Sequence, residues 1–289
     1  MIKAEIIKDS IGPNNSRITT FLLTYPRMIH SEFMTHRVFS RNASSSRAIP
    51  VKKQIEAVLE NPVIPIAFTK NKAGMQGGDP LDEIQTKLAI EVWNHALFHA
   101  VDKAKMLSDL GLHKQYANRI LEPFSHITVV CTATDYANFF ALRTHKDAQP
   151  EFQAVATLMW EKYSQNEPTK LEFGDWHLPF ITDEEISKVK ALLLFRDYQD
   201  EYMKELDLLI KRSVARCART SYNTHDGTEN SIEKDLELYN RLVGGDLIHA
   251  SPTEHQAMAL KTLNYSGNFK GWLQYRKTLK NENILKFPI

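Results

Sequence analysis

The chain has 289 residues, 43% of them hydrophobic, enough for one large core or two tight ones. Its 36 Lys and Arg against 35 Asp and Glu leave a formal net charge of +1, which implies no global attraction to nucleic acid or an anionic membrane. Two cysteines, Cys131 and Cys217, argue against a disulfide framework or a cysteine-built zinc site and fit a reducing, cytoplasmic setting.

The N-terminal stretch MIKAEIIKDS carries no long apolar core or cleavage signal, and no segment reaches membrane-spanning length. SRITTFLLTYP, rich in β-branched and aromatic residues and closed by Pro26, predicts a strand. PRMIHSEFMTHRVFS predicts a helix, with Pro26 in its first turn and Met28, Ile29, Phe33 and Met34 on its apolar side. Residues 62–81, with prolines at 62, 65 and 80 and glycines at 74, 77 and 78, predict an exposed excursion. From Leu81 to Leu110 the spacing of Ile84, Leu88, Val92, Ala96 and Val101 is helical, and Gly111 is placed to end it. HKQYANRILEP predicts a short helix stopped at Pro123, HITVVC a strand, TATDYANFFALR a capped helix, and DAQPEFQAVATLMWEKY a further helix. FGDWHLPFI reads as a loop. Residues 183–222 and SIEKDLELYNRLV, closed by Gly244-Gly245, predict helices. No low-complexity tract divides the chain, so residues 1–289 read as one intertwined domain.

Between the first predicted helix and Pro50 lies MTHRVFSRNASSSRAIP. Its serines offer hydroxyls and backbone N–H groups, and Arg37 and Arg47 offer forked donors that match a phosphate or a planar carbonyl edge. A solvated, capped loop would carry the same residues, and both readings stand. Arg119 in NRILEP, with Asn138 and Arg143 in ANFFALR, form a second group, although a cation at a helix end also complements the dipole. HASPTEHQAMAL offers a Ser-Pro turn followed by an acid and a histidine, which suits either a ligand-binding pair or a helix start. No metal-ligand spacing occurs: His95 and His99 lack a third ligand and read as a half-buried helix face. GxGxxG, Walker and GxSxG loops are absent.

Taken together, these groups resemble the flavin-dependent thymidylate synthases. The family signature is Arg-His-Arg, seven residues, then Ser; here Thr35, His36 and Arg37 precede Ser45 by the same spacing, with Thr in place of the first Arg. NRILEP, ANFFALRTHKDAQPEFQ, SVARCARTSY and SPTEH resemble further family segments. The last two follow residue 210 here and precede the signature in the family, so the order looks circularly permuted, as in a phage-like variant. GWLQYRKTLKNENI resembles a second, decayed signature: it sets Arg276 on Arg37, Asn281 on Asn42, and Glu282 opposite Ala43, where the family carries Glu. This suggests a degenerate internal repeat of residues 15–50 and 254–289.

The resemblance implies an α+β fold, an antiparallel sheet with packed helices, assembled as a homotetramer with sites between chains. It implies methylation of dUMP to dTMP, with methylenetetrahydrofolate as carbon donor, FAD as redox carrier and NADPH as reductant. It implies no nucleic-acid partner and no membrane. The family's roles map Ser44, Ser45, Ser46, Arg47, Arg119, Arg143, Gln274 and Glu282 to the substrate, Ser45 and Arg119 among them to catalysis. Flavin would be held by His36, Arg37, Asn42, Asn138, His255 and Arg276, and no metal is required. A composite site is then expected, with Ser45 and Arg47 from the first signature and Arg276 and Glu282 from the second, drawn from the same chain or from neighbouring subunits. The missing first Arg and Glu leave room for a hydroxymethylase acting on dUMP or dCMP, and for a flavin- or nucleotide-binding protein without catalysis.

Overall fold

The computed structural model describes residues 1–222, 231–245 and 248–283; the end of the second signature-like stretch lies outside the described residues. Strands β1 (Lys3–Ile11) and β2 (Arg17–Pro26) form an antiparallel hairpin. Asn15 takes φ 61° in its turn, a conformation Asn tolerates. The neighbouring Asn14 Nδ2 donates to the carbonyls of Leu260 and Gly271, 2.9 Å each, which ties the hairpin tip to the C-terminal part of the chain.

The long helix expected after Pro26 is cut short. A 3-10 turn over Arg27–Ile29 and one α turn, α1 (His30–Phe33), lead into an extended edge strand, β3 (Ser40–Ala43). Arg41 explains the stop. Its Nη1 donates to the carbonyls of Met34 (2.9 Å), His36 (3.1 Å) and Phe33 (3.3 Å), satisfying groups that a continuing helix would have used. Ile29 and Phe33 are buried as expected, whereas Met34 is exposed.

α2 (Val51–Glu60) and α3 (Glu83–Asp109) pack through Ile55, Val58, Leu97, Val101 and Ala104 onto Leu121 and Phe124. The apolar stripe of α3 is therefore rotated from the one expected: Val101 is buried, but Ile84, Leu88 and Val92 are 81%, 58% and 60% exposed. His95 and His99 are likewise exposed, not half-buried. The 62–81 excursion is largely exposed, and Gly111 closes α3 at φ 81°. α4 (Lys114–Ala117) continues as a 3-10 helix over Asn118–Phe124, which accommodates Pro123.

β4 (His126–Ala133) pairs antiparallel with β2 and with β3. α5 (Ala137–Arg143) and α6 (Pro150–Gln165), the latter opened by Pro at its first position, follow as expected. A short strand β5 (Thr169–Lys170) adds to β1 in parallel, completing the order β3-β4-β2-β1-β5. Strand alternation gives the sheet two unlike faces. On one, Phe21, Leu23, Tyr25, Val129 and Cys131 meet Phe33, Phe39 and the α5–α6 residues Phe139, Phe152, Val155 and Met159. Burying each large side chain contributes about 1.5–3 kcal/mol, so this face is the principal core.

The other face carries Thr20 and Thr132 and receives the C-terminal half. There β6 (Trp176–His177) gives the expected loop a short strand. The helical region from 183 to 222 divides into α7 (Asp183–Ala191) and α8 (Gln199–Tyr222), and α9 is Ile232–Val243. α8 and α9 bury Leu209, Val214, Ala218, Leu238 and Leu242 against one another. Asp235, wholly buried, is held by Arg216 at 3.2 Å and Arg219 at 2.9 Å. A 3-10 turn over Ser251–Glu254 precedes β7 (Ala257–Ala259), the small hairpin β8 (Tyr265–Ser266) and β9 (Phe269–Lys270), and β10 (Trp272–Gln274). The observed class is α+β with an antiparallel central sheet, as expected. The proposed repeat partners differ locally: Asn42 lies on β3, whereas Asn281 sits in a turn beyond a 3-10 helix over Tyr275–Thr278.

Candidate functional site

The serine loop continues the edge of the sheet. Ser44 N–H donates to the Thr128 carbonyl at 2.8 Å, and Ser44 Oγ accepts from Thr128 N–H at 3.1 Å, so this serine extends the β3–β4 ladder. The chain then leaves the sheet. Ser45 N–H donates to the Ser221 carbonyl at the end of α8 (3.1 Å), and Ala48 N–H closes a turn onto the Ser45 carbonyl (3.0 Å). Ser46 turns inward and its Oγ donates to Glu122 at 2.8 Å.

Beside the loop opens a cavity of about 640 Å³. Its polar wall is Ser45, Arg47, Lys114, Ser221, His249 and Ser251, and the rest is mainly apolar. Among the described residues no carboxylate lines it. Two side-chain cations and three hydroxyls thus face a space with no acid among the described lining residues, an arrangement that attracts an anion carrying several acceptor oxygens.

The other expected site residues are distributed differently. Arg119 is half exposed and paired with Glu122 at 2.9 Å, outside the cavity wall. Arg143 Nε donates to His36 Nε2 at 3.0 Å, and its guanidinium lies 4.4 Å from the centre of the Phe152 ring. Burial and the Arg143 charge hold the His36 pKa down to about 4, so this imidazole is neutral. Asn42 is buried with its amide on the Cys217 carbonyl (2.9 Å), while Arg37 and Asn138 are exposed. His255 is wholly buried. Its Nδ1 meets Thr132 Oγ1 at 2.8 Å, its Nε2 has no partner, and burial lowers its pKa to about 3. The contact extends into a polar chain across the sheet: Thr132 Oγ1 to Thr20 Oγ1 (2.8 Å), then His177 Nε2 (2.8 Å), whose Nδ1 meets Ser10 Oγ (3.0 Å).

The expected meeting of the two signatures in one chain is not formed. Glu282 faces Lys277 at 2.9 Å and Arg276 at 3.6 Å, and Arg276 also pairs with Glu254 at 2.5 Å. Gln274 Nε2 donates to Asn268 Oδ1 at 2.8 Å. None of the three lines the cavity, because their charges and amide are satisfied among themselves and their neighbours. What the sequence reading missed is Lys114, Asn118, Glu122, Ser221 and His249. Of these, Lys114, Asn118 and Glu122 carried a legible sign: three polar residues four apart, which share one side of a helical segment.

Among the described residues no group of three or more His, Cys, Asp or Glu could hold a metal ion, and no helix is long and apolar enough to cross a membrane. Both cysteines are free and buried, and burial pushes the Cys131 thiol up to about 12 and the Cys217 thiol higher still. Neither is a poised nucleophile.

The sheet edge of this α+β protein thus opens into a cavity lined by cations and hydroxyls. The family model described as thymidylate synthase complementing protein matches residues 14–169, just over half of the 289-residue chain. The chain belongs to this family, the flavin-dependent thymidylate synthases. The matched region contains the serine loop, Arg119, Asn138 and Arg143. SVARCARTSY and SPTEH lie beyond it in sequence, yet the contacts of Asn42 with Cys217, Ser45 with Ser221 and Thr132 with His255 bring both against the signature strand and its neighbour. Among solved structures, the UMP/dUMP methylase PolB from Streptomyces cacaoi, bound with 5-Br dUMP, is 18% identical. It covers 57% of this chain and 90% of its own, with a TM-score of 0.48. The same methylase bound with 5-Br UMP gives 18% identity, 57% and 89% coverage, and a TM-score of 0.47. No curated protein matches the chain.

Proposed function

We propose that this protein methylates dUMP to dTMP, with methylenetetrahydrofolate as carbon donor, FAD as redox carrier and NADPH as reductant. One observation carries the reading: the cavity draws its wall from the signature loop (Ser45, Arg47) and from the two other family segments (Ser221, Ser251). The substrate is a dianion with a planar base. Arg47 and Lys114 supply charge for its phosphate, and the Ser45 hydroxyl orients it beside them. The remaining apolar wall, including Ala218, Leu242 and Pro252, suits the face of a pyrimidine.

The flavin part rests on the family. Within one chain the carried-over residues do not form a cradle: His36, Asn42 and His255 are buried, and Arg276 is paired with Glu254 and Glu282. Arg37 and Asn138, both exposed, remain to meet a flavin. A tetramer with sites between chains fits this division of labour. The exposed Ile84, Leu88 and Val92 on α3 support association of copies. We read residues 1–289 as one domain acting in the cytoplasm.

The test is to purify the protein, record its flavin absorption, titrate it with FAD, and weigh the product formed from dUMP, methylenetetrahydrofolate and NADPH. A product of dTMP mass supports the reading. A hydroxymethylated nucleotide would move the protein to the sister reaction, for which Ala43 in place of Glu and Thr35 in place of Arg leave room. Nucleotide binding without turnover would mark a binding protein, and absence of flavin binding at high micromolar FAD would remove the redox scheme.

A further inference from the structure

The serine loop is gripped from behind by one short segment. Lys114 Nζ donates to the Ala48 carbonyl at 3.0 Å, and Asn118 Nδ2 donates to the Ser46 carbonyl at 2.7 Å and the Ile49 carbonyl at 2.9 Å. Glu122 Oε1 accepts from Ser46 Oγ at 2.8 Å. These three residues, four apart, run along one side of α4 and the 3-10 turn that follows. Arg27 Nη2 adds a hydrogen bond to the Ser44 carbonyl at 3.2 Å. The loop's carbonyls are thus turned toward the clasp, and Ser45 and Arg47 toward the cavity.

Glu122 is the hub of the clasp. The oxygen that holds Ser46 also faces Arg119 at 2.9 Å and Arg27 at 3.6 Å. Arg27 is largely buried, with its side chain 16% exposed and its Nε without a partner, so it depends on that carboxylate for neutralisation. Two guanidiniums share one carboxylate. Without it they would repel one another, Ser46 would lose its acceptor, and the Arg27 bond to Ser44 would lose its anchor. A loop that binds through fixed donors gains affinity from being held in place before the ligand arrives.

We propose that Glu122 is a positioning residue: it fixes the serine loop, through Ser46 and the Arg27–Arg119 pair, in the geometry that presents Ser45 and Arg47 to the nucleotide phosphate. This rests on reading the cavity as a nucleotide site. The test has two arms on the full-length protein. In the first, hydrogen exchange is followed without ligand. Glu122→Ala should speed exchange of the amides of residues 44–49 while β4 keeps its protection; unchanged loop exchange would overturn the clasp. In the second, dUMP is titrated calorimetrically. Glu122→Ala should raise Kd about tenfold or more, equivalent to about 1.4 kcal/mol. Glu122→Gln, which keeps an acceptor for Ser46 but not the charge, should fall between parent and Ala. Parent-like affinity in Glu122→Ala would overturn the proposal. Should the alanine variant fail to fold, Glu122→Gln decides: weakened dUMP binding supports the role and parent-like binding overturns it. A parent protein that binds no dUMP would overturn the nucleotide reading, and the exchange arm alone would then judge the clasp.

Discussion

Two polar clusters on the central sheet differ in access. On the β2–β4 face, Ser10, His177, Thr20, Thr132 and His255 form a sealed chain in which each group but the His255 Nε2 has a partner. At the β3 edge, Ser45, Arg47, Lys114 and Ser221 line a cavity with no acid among its described lining residues. Both clusters are rich in hydroxyls and basic groups. What separates them is partner saturation and access. The sealed chain holds the C-terminal half on the sheet, since His177 and His255 lie in that half and Ser10, Thr20 and Thr132 in the other. The open cluster keeps donors to spare, although Lys114 Nζ spends one of its three on the Ala48 carbonyl. A further polar group, Arg276 and Lys277 with Glu254 and Glu282, balances its own charges and so resembles the sealed case in chemistry, although it lies nearer the surface.

The sealed chain sets the largest expected effect. Burial lowers the His177 pKa well below 6.5 and that of His255 to about 3, so the folded protein excludes protons that the unfolded chain binds below pH 6.5. Stability from these neutral histidines is complete above pH 6.5 and falls as the pH drops toward their folded values. Each pH unit below 6.5 costs roughly 1.4 kcal/mol for each wholly buried histidine, or about 3 kcal/mol at pH 5.5 for the two. His30, His36 and His126, all lowered to about 4, act in the same direction. Urea unfolding at pH 7.5 and 5.5 measures the loss, and equal stability at both would show that the chain is not sealed.

The open cluster predicts a binding loss without a stability loss. Arg47→Ala removes a charge-assisted donor and should weaken dUMP binding by about 2–3 kcal/mol while Tm stays near the parent's. A drop in Tm with unchanged affinity would reverse the assignment of open and sealed. Arg143→Ala sharpens the contrast, because Arg143 is spent on His36 and the Phe152 ring. It should cost about 1–2 kcal/mol of stability by chemical denaturation and less affinity than Arg47→Ala. An equal affinity loss would place Arg143 at the ligand. Glu282→Gln is the smallest: its carboxylate sits with Arg276 and Lys277, and stability should shift by about 0.5 kcal/mol or less with dUMP affinity unchanged.

The fold class and most helices could be read from the sequence because their signals are local: the apolar spacing of α6 and α9, the Gly244-Gly245 stop after α9, and β-branched runs in β2 and β4. The failures lie where a distant contact wins. The helix after Pro26 stops because Arg41 caps its carbonyls, and the outer face of α3 stays exposed because its partners sit on the adjacent side. The donors of Ser45 and Arg47, which the structure places at the cavity, were legible in the serine loop. Ser46 was not separable from them, since nothing local says that it turns to Glu122 while Ser45 turns outward. The positions of Lys114 and His249 depend on chain segments far apart in sequence meeting at one loop, and within one chain Glu282 lies with Arg276 and Lys277 and not with Ser45.

The central claim is that the open cluster holds a nucleotide through its phosphate. Comparing dUMP with deoxyuridine in one calorimetric titration tests it most directly, because the ligands differ only in the group that Arg47 and Lys114 are held to meet. Two charge-assisted contacts at about 1.5–3 kcal/mol each predict that deoxyuridine binds at least about a hundredfold more weakly, with the gap narrowing as salt is added. Equal affinity for the two ligands would contradict the account.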